Sequence, residues 1–206
     1  MAHYLLGKSY KFGVMNIQKQ MLDMLGWSLK GEMPAIRKSI IVVAPHTSYW
    51  DAVIGKLVLS AYGVPHRLLS KKELFRFPMN IVMRSIGAIP IRNVIGQNSI
   101  VMASSMLKSS DNLHLVICPE GGFAPTDHWN PGFLMMARMA GVPVIAAFID
   151  YKQKTAGIKT VIYDTEDENA VIRSLAEAYS DITARHPENF LLPKTREQRK
   201  AKSPGV

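Results

Sequence analysis

The sequence lacks paired cysteines, long apolar runs and an excess of acidic residues, and each absence excludes a class of protein. The single cysteine, Cys118, cannot form an internal disulfide, so the 206-residue chain is not a disulfide-stabilised scaffold. No stretch reaches the roughly 18 consecutive apolar residues that a membrane-spanning helix requires. Hydrophobic residues make up 48% and charged residues 20% of the chain, which excludes intrinsic disorder and favours one globular domain with a substantial core.

The basic charge is concentrated in the first half of the chain. The whole sequence has 25 Lys and Arg against 16 Asp and Glu, a net charge of +9. Residues 1–92 hold 13 basic and 4 acidic residues, whereas residues 93–206 hold 12 of each. A basic half indicates an anionic partner such as phospholipid headgroups, nucleic acid or a phosphate-bearing cosubstrate. Because the basic residues are scattered and no motif interleaves them with aromatics, nucleic acid is not an expected partner.

Short apolar segments alternate with helical patterns from residue 38 onward. The run Ile40–Ala44 is entirely apolar and rich in β-branched residues, which is typical of a strand covered on both faces. Further strands are predicted at residues 66–70, 88–91, 113–118, 142–149 and 158–163, with helices at residues 50–62, 79–85, 97–108, 131–140 and 168–185. This alternation predicts an α/β layered domain over residues 38–193, with a mostly parallel central sheet flanked by helices.

Each end of the chain differs from this pattern. Residues 1–37 are predicted to form an N-terminal amphipathic helical segment, because apolar residues recur at helical spacing between residues 14 and 30. Such a helix either lies on a membrane surface or packs on the core of the domain. Residues 194–206 are predicted to be a basic flexible tail.

Chemistry-bearing residues follow the predicted strands, where functional groups of such sheets gather. His46 follows the strand that ends at Ala44, and Asp51 lies five residues further on, so the carboxylate can orient the imidazole as a general base. Asp51 can equally be a simple N-terminal acid of the next helix. A second segment, Cys118–Gly122, places Glu120 beside two glycines that allow close approach of a ligand.

These segments resemble the motifs of the glycerolipid acyltransferase family, in particular the bacterial 1-acylglycerol-3-phosphate acyltransferases. The first motif, His-x-x-x-x-Asp, matches His46 and Asp51, and the third, Phe-Pro-Glu-Gly-Thr-Arg, is similar to Cys118–Phe123. The second motif resembles Lys71–Leu74 followed by Gly87–Ile91, and the fourth resembles Val142–Val144. The four motifs occur in the family's order and span most of the chain.

The resemblance implies transfer of a fatty acyl group from acyl-CoA or acyl-carrier protein to a lysolipid hydroxyl, most often that of 1-acylglycerol-3-phosphate. It implies that His46 is the general base held by Asp51, and that neither a metal nor an organic cofactor is needed. Substrate-binding residues implied by the resemblance and its neighbourhood are Glu120, Gly121, Gly122, Arg92, Lys72 and Asn93. The expected location is cytoplasmic, peripheral on the inner face of the cell membrane, with the membrane surface as a partner.

Two positions depart from the family pattern. Asn93 stands where the family has an arginine, with Arg92 one residue earlier, and Phe123 stands where the third motif has its arginine. Gly122 replaces the threonine of that motif. These departures leave open an acceptor without phosphate, such as a lyso-aminolipid. A non-catalytic basic membrane-binding module and a thioesterase that passes the acyl group to water are the other readings.

Overall fold

The computed structural model describes residues 16–91 and 97–201, and these form an α/β layered fold. Seven strands make one sheet in the order β1-β7-β6-β2-β5-β3-β4. The strands are β1 (Ser28–Lys30), β2 (Lys38–Ala44), β3 (His66–Lys71), β4 (Ala88–Ile91), β5 (Leu113–Ile117), β6 (Val144–Asp150) and β7 (Thr155–Ile162). Every neighbouring pair is parallel except β6 and β7, so the predicted fold class is confirmed.

Helices cover both faces of the sheet. They are α1 (Ile17–Met24), α2 (Tyr49–Ala61), α3 (Met79–Ser85), α4 (Gln97–Ser109), α5 (Gly132–Ala140), α6 (Glu168–Ala178) and α7 (Arg196–Ala201), with short 3₁₀ helices at Lys72–Phe75 and Pro187–Asn189. Within the described part of the chain, no helix has both the length and the apolar character needed to cross a membrane.

Strand β2 divides the hydrophobic core into two layers. Ile40, Val42 and Ala44 pack on one face of the sheet against residues of α4, α5 and α6. Ile41 and Val43 point to the opposite face and pack against α1 and α2. Because side chains alternate along a strand, a strand buried on both faces must be apolar throughout. This central strand carries His46 just beyond its carboxyl end.

The predicted helix over residues 14–30 is wrong in extent within the described residues. Helix α1 ends at Met24, and Gly26 follows with a left-handed φ of 76°. Ser28–Lys30 then form strand β1, which pairs in parallel with β7. Leu22 and Trp27 are buried because they contact the α2 face of the sheet, so their apolar character reflects two elements and not one helix.

The last long helix is also shorter than predicted. It ends at Ala178 and not at residue 185, and Tyr179 is its C-cap. The buried Tyr179 hydroxyl lies 2.9 Å from the carbonyl oxygen of Val42 and 3.0 Å from that of Ala147. This contact fixes the end of α6 against β2 and β6. The domain bounds 1–37, 38–193 and 194–206 stay predictions, although α7 lies within the segment that was expected to be a flexible tail.

Candidate active site

His46 and Asp51 meet at the carboxyl end of β2. His46 Nδ1 lies 3.3 Å from Asp51 Oδ2, within ion-pair distance but without the alignment of a hydrogen bond. The Asp51 side chain is only 2% exposed and that of His46 is 20% exposed. The turn between β2 and α2 therefore brings together the two residues that the His-x-x-x-x-Asp spacing singled out.

Asp51 is held by three donors besides the imidazole. Its Oδ2 accepts hydrogen bonds from the backbone amides of Thr47 and Ser48, both at 2.8 Å. Its Oδ1 accepts a hydrogen bond of 2.7 Å from the hydroxyl of Tyr151. The bond from Ser48 forms part of a capping box at the start of α2. Asp51 is thus both the N-terminal acid of the helix and the partner of His46, so the two readings of this residue are compatible.

The pKa of His46 is raised well above its usual 6.5. Burial by itself lowers this pKa, but interactions with Cys118 and Asp51 outweigh it. The carboxylate of Asp51 lies 3.3 Å from Nδ1, where a negative charge favours the imidazolium. A histidine with a raised pKa is a stronger base once it has lost its proton.

Glu120 lies against His46 from the neighbouring strand. Its Oε1 accepts a 3.1 Å hydrogen bond from the backbone amide of His46, whereas its buried Oε2 has no hydrogen-bond partner among the described residues. Burial raises the pKa of Glu120 to about 7, although the bond from His46 opposes this. A tight turn places the residue, because the amide of Gly121 bonds to the carbonyl of Cys118 and Gly121 has a left-handed φ of 71°.

The pair opens into a cavity of about 780 Å³ between α2 and the sheet. His46, Asp51 and Glu120 line it at the carboxyl ends of β2 and β5, and His66 lines it at the amino end of β3. The cavity therefore follows the whole of β3, about 20 Å at 3.3 Å per residue. Its walls between these ends are mainly apolar, formed by residues such as Val43, Leu59, Leu68, Leu69, Met83 and Ile86.

Aromatic rings form the wall of the cavity beside the imidazole. The Phe123 ring lies 4.9 Å from that of His46 and 4.8 Å from that of Tyr49, in edge-to-face geometry. Edge-to-face pairs at these separations are favourable. At position 123, where the resemblance implies an arginine, the apolar ring of Phe123 thus lies directly against His46, the predicted base.

The structure brings Gly121 and Gly122 into the same cavity, but it places the two neighbouring lysines differently. Lys71 lines the cavity, and its Nζ lies close to Gly122. Lys72 lines an adjoining groove with Arg76 and Arg84. Arg92 and Asn93 lie outside the described residues.

Two residues at the site were missed by sequence reasoning. Tyr151 follows directly on β6, the strand beside β2, so the rule of looking past the carboxyl ends of strands could have found it. Lys71 is part of the second motif, but of the two lysines only Lys72 was named as substrate-binding, and no pattern in the sequence distinguishes the two. His114 is buried, and its Nδ1 lies 2.8 Å from the Ser39 hydroxyl. Burial and the nearby His66 lower the pKa of His114 to about 4.

A histidine supported by a buried carboxylate, at the mouth of a long apolar cavity, is typical of enzymes that act on apolar substrates. Residues 19–150 match the protein-family model described as Acyltransferase. Since this match covers more than half of the chain, the protein belongs to the Acyltransferase family and is an acyltransferase. Membership implies an acyl donor and a lipid acceptor as substrates. Neither the search of curated proteins nor the search of solved structures found a match.

Proposed function

We propose that this acyltransferase moves a fatty acyl group from an acyl thioester, acyl-CoA or acyl-carrier protein, to the hydroxyl of a lysolipid, with His46 as general base. The observation that carries the proposal is the contact between His46 and the buried Asp51 at the mouth of the apolar cavity. Burial of the carboxylate strengthens its interaction with the imidazole, because the surrounding dielectric is low.

The chemistry needs one proton to move twice. Because Nδ1 faces Asp51, Nε2 of His46 would take the proton of the acceptor hydroxyl as its oxygen attacks the thioester carbonyl. The tetrahedral intermediate then collapses, the C–S bond breaks and the thiolate leaves. The imidazolium returns its proton to that thiolate, so the base is regenerated. Asp51 stabilises the imidazolium that forms between the two transfers.

The shape of the cavity supports a long acyl chain as the part of the substrate that it holds. Its mainly apolar walls follow β3 for about 20 Å, so a fatty acyl chain could lie along the strand with its thioester carbonyl beside His46. A volume of about 780 Å³ is within the usual range for a site that holds one such ligand. Glu120 reaches the same mouth and has a free buried oxygen, which would accept a hydrogen bond from the acceptor.

The preferred acceptor is 1-acylglycerol-3-phosphate. Lys71 supports this choice, since its ammonium group lines the cavity beside Gly122 and can bind a phosphate. A second candidate is an acceptor without phosphate, such as a lyso-aminolipid. Phe123 favours that candidate, because an aromatic ring provides no charge for a phosphate group.

The protein would act at the cytoplasmic side, peripherally on the inner face of the cell membrane. Its substrates would then be a soluble thioester and a membrane lipid. The excess of basic residues in the first 92 positions supports an anionic surface as the place of action.

The proposal is tested with a panel of lysolipids, with and without phosphate, supplied with one long-chain acyl-CoA. We expect acylation of 1-acylglycerol-3-phosphate by the native protein, and a loss of about 10²-fold or more in His46→Ala. The variant should keep the circular dichroism and thermal unfolding of a folded protein. Full activity in His46→Ala would overturn the mechanism. Thiol release without any acceptor would instead indicate a thioesterase, and acylation confined to phosphate-free lysolipids would select the second candidate.

A further inference from the structure

The segment from residue 72 to residue 86 exposes apolar side chains to solvent. Phe77 is 82% exposed and Ile81 is 62% exposed, and the neighbouring Val82 is also exposed. Phe77 precedes α3, and Ile81 and Val82 lie one turn further on within it. The three residues are named the Phe77 patch below. An exposed aromatic beside two β-branched residues is costly in water unless something covers it.

Basic side chains surround the Phe77 patch. Lys72 and Arg76 precede it and Arg84 follows it, and all three are exposed. None of the three has an ion-pair partner within residues 16–91 and 97–201. They line a groove of about 830 Å³ together with one acidic residue, Glu73. Apolar side chains flanked along the chain by unpaired cations complement a surface that is apolar inside and anionic outside, as a bilayer with anionic headgroups is.

The opposite face of the same segment forms a wall of the cavity. Met83 on α3, its C-cap Ile86, and Leu74 before the helix line the cavity that contains His46. At 100° per residue, Ile81 and Arg84 lie on the other side of the helix from Met83 and Ile86. One short helix thus separates the predicted catalytic cavity from the Phe77 patch.

We propose that the Phe77 patch and its cations Lys72, Arg76 and Arg84 form the surface that docks on an anionic lipid bilayer. The inference deepens the proposed function, because docking there would place the wall of the substrate cavity against the membrane that holds the lysolipid. An acceptor could then pass around α3 into the cavity without crossing bulk water.

Helix α1 is a second exposed apolar surface near the cavity side of the sheet, with Met21 and Met24 exposed. Lys19 is the single cation within α1, and α1 contributes none of the residues that line the cavity. Charge complementarity and continuity with the cavity therefore favour the Phe77 patch.

The test measures binding of the full chain to vesicles of phosphatidylcholine with and without phosphatidylglycerol. The double variant Phe77→Ser/Ile81→Ser removes apolar area and should weaken binding to the anionic vesicles on the order of tenfold. The double variant Arg76→Gln/Arg84→Gln should weaken it by about 25-fold, since each cation near an anionic surface is worth about fivefold. The matched controls are Val101→Ser/Tyr163→Ser, Arg173→Gln/Arg196→Gln and Met21→Ser/Met24→Ser, all at exposed positions elsewhere.

Activity separates this inference from the proposed function. The variant Phe77→Ser/Ile81→Ser should lose acyl transfer to acceptor presented in vesicles, and keep transfer to a lysolipid dissolved below its critical micelle concentration. Native binding in both patch variants, or a loss of binding confined to the Met21→Ser/Met24→Ser control, would overturn the inference. Absence of transfer by the native protein to the acceptor in either form would instead refute the proposed function.

Discussion

Glu120 should make the folded chain less stable as the pH rises towards neutrality. Burial raises the pKa of this carboxyl from 4.5 to about 7. The unfolded chain releases the proton near the lower value and the folded chain only near the higher one, so the folded state holds the extra proton between them. The free energy of unfolding therefore falls as the pH rises through this window. At about 1.36 kcal/mol per pKa unit, the loss is on the order of 3 kcal/mol.

The variant Glu120→Gln removes the titration and keeps an oxygen for the His46 amide. At pH 8 it should be more stable than the native protein by about 2–3 kcal/mol, which corresponds to a rise of about 5–10 °C in Tm for a chain of this size. At pH 5 the two proteins should differ little. Urea unfolding at pH 5, 6, 7 and 8 measures the difference, with the exposed Glu177→Gln as the control. A difference that does not change with pH, or a variant less stable than the native protein at pH 8, would refute the reasoning.

Three further variants test single contacts. Burial and the Asp51 carboxylate raise the pKa of Tyr151 well above its usual value, so its hydroxyl keeps donating to Asp51. Tyr151→Phe should therefore lower kcat about tenfold with little change in KM, and it should cost about 1–3 kcal/mol in urea unfolding. An unchanged kcat would contradict a positioning role. Because Cys118 helps to raise the pKa of His46, Cys118→Ala should keep turnover and move the acidic limb of the pH–rate profile to lower pH, whereas complete inactivity would point to a catalytic thiol. A Cβ on Gly157 would lie 1.8 Å from the carbonyl oxygen of Lys30, so Gly157→Ala should destabilise the chain by more than about 3 kcal/mol. The control is Gly55→Ala, which should be tolerated because its Cβ would meet only Ile149, at 3.9 Å. Equal stability of the two variants would refute the packing argument.

The central strands could be predicted because each carries its own signal. Strand β2 is apolar at five consecutive positions and is buried on both faces, so its sequence admits few alternatives. The segment before it was misjudged because Ile17, Met21, Met24 and Leu25 recur at helical spacing, and the prediction extended that helix to residue 30. Only the pairing of Ser28–Lys30 with β7, more than 120 residues further along the chain, shows that a strand begins there. A contact of that range leaves no periodic trace in the local sequence.

Part of the site could be predicted because functional side chains gather just past the carboxyl ends of strands. His46, Asp51 and Glu120 follow β2 and β5, which are neighbours in the sheet, and the structure brings them together. The hydrogen bond from Tyr151 to Asp51 spans 100 residues and depends on β6 lying beside β2, which the strand pattern alone does not order. The choice between Lys71 and Lys72 depends on how the chain turns from β3 into a 3₁₀ helix, a matter of one residue.

The distribution of charge around His46 indicates how the acceptor is oriented in the cavity. Asp51 and Glu120 lie on the side of β2 and β5, and Phe123 and Tyr49 close the adjacent wall with aromatic rings. A phosphate group placed against that side would face the carboxyl groups of Asp51 and Glu120, which is unfavourable in a partly buried site. Lys71 lies at the end of β3, and the cations of the 72–86 segment continue from it. An anionic headgroup would therefore lie towards β3 and α3, while the aromatic wall would contact a neutral part of the substrate. An aromatic residue at position 123 is thus compatible with a phosphate-bearing acceptor, provided that Lys71 and not residue 123 supplies the charge.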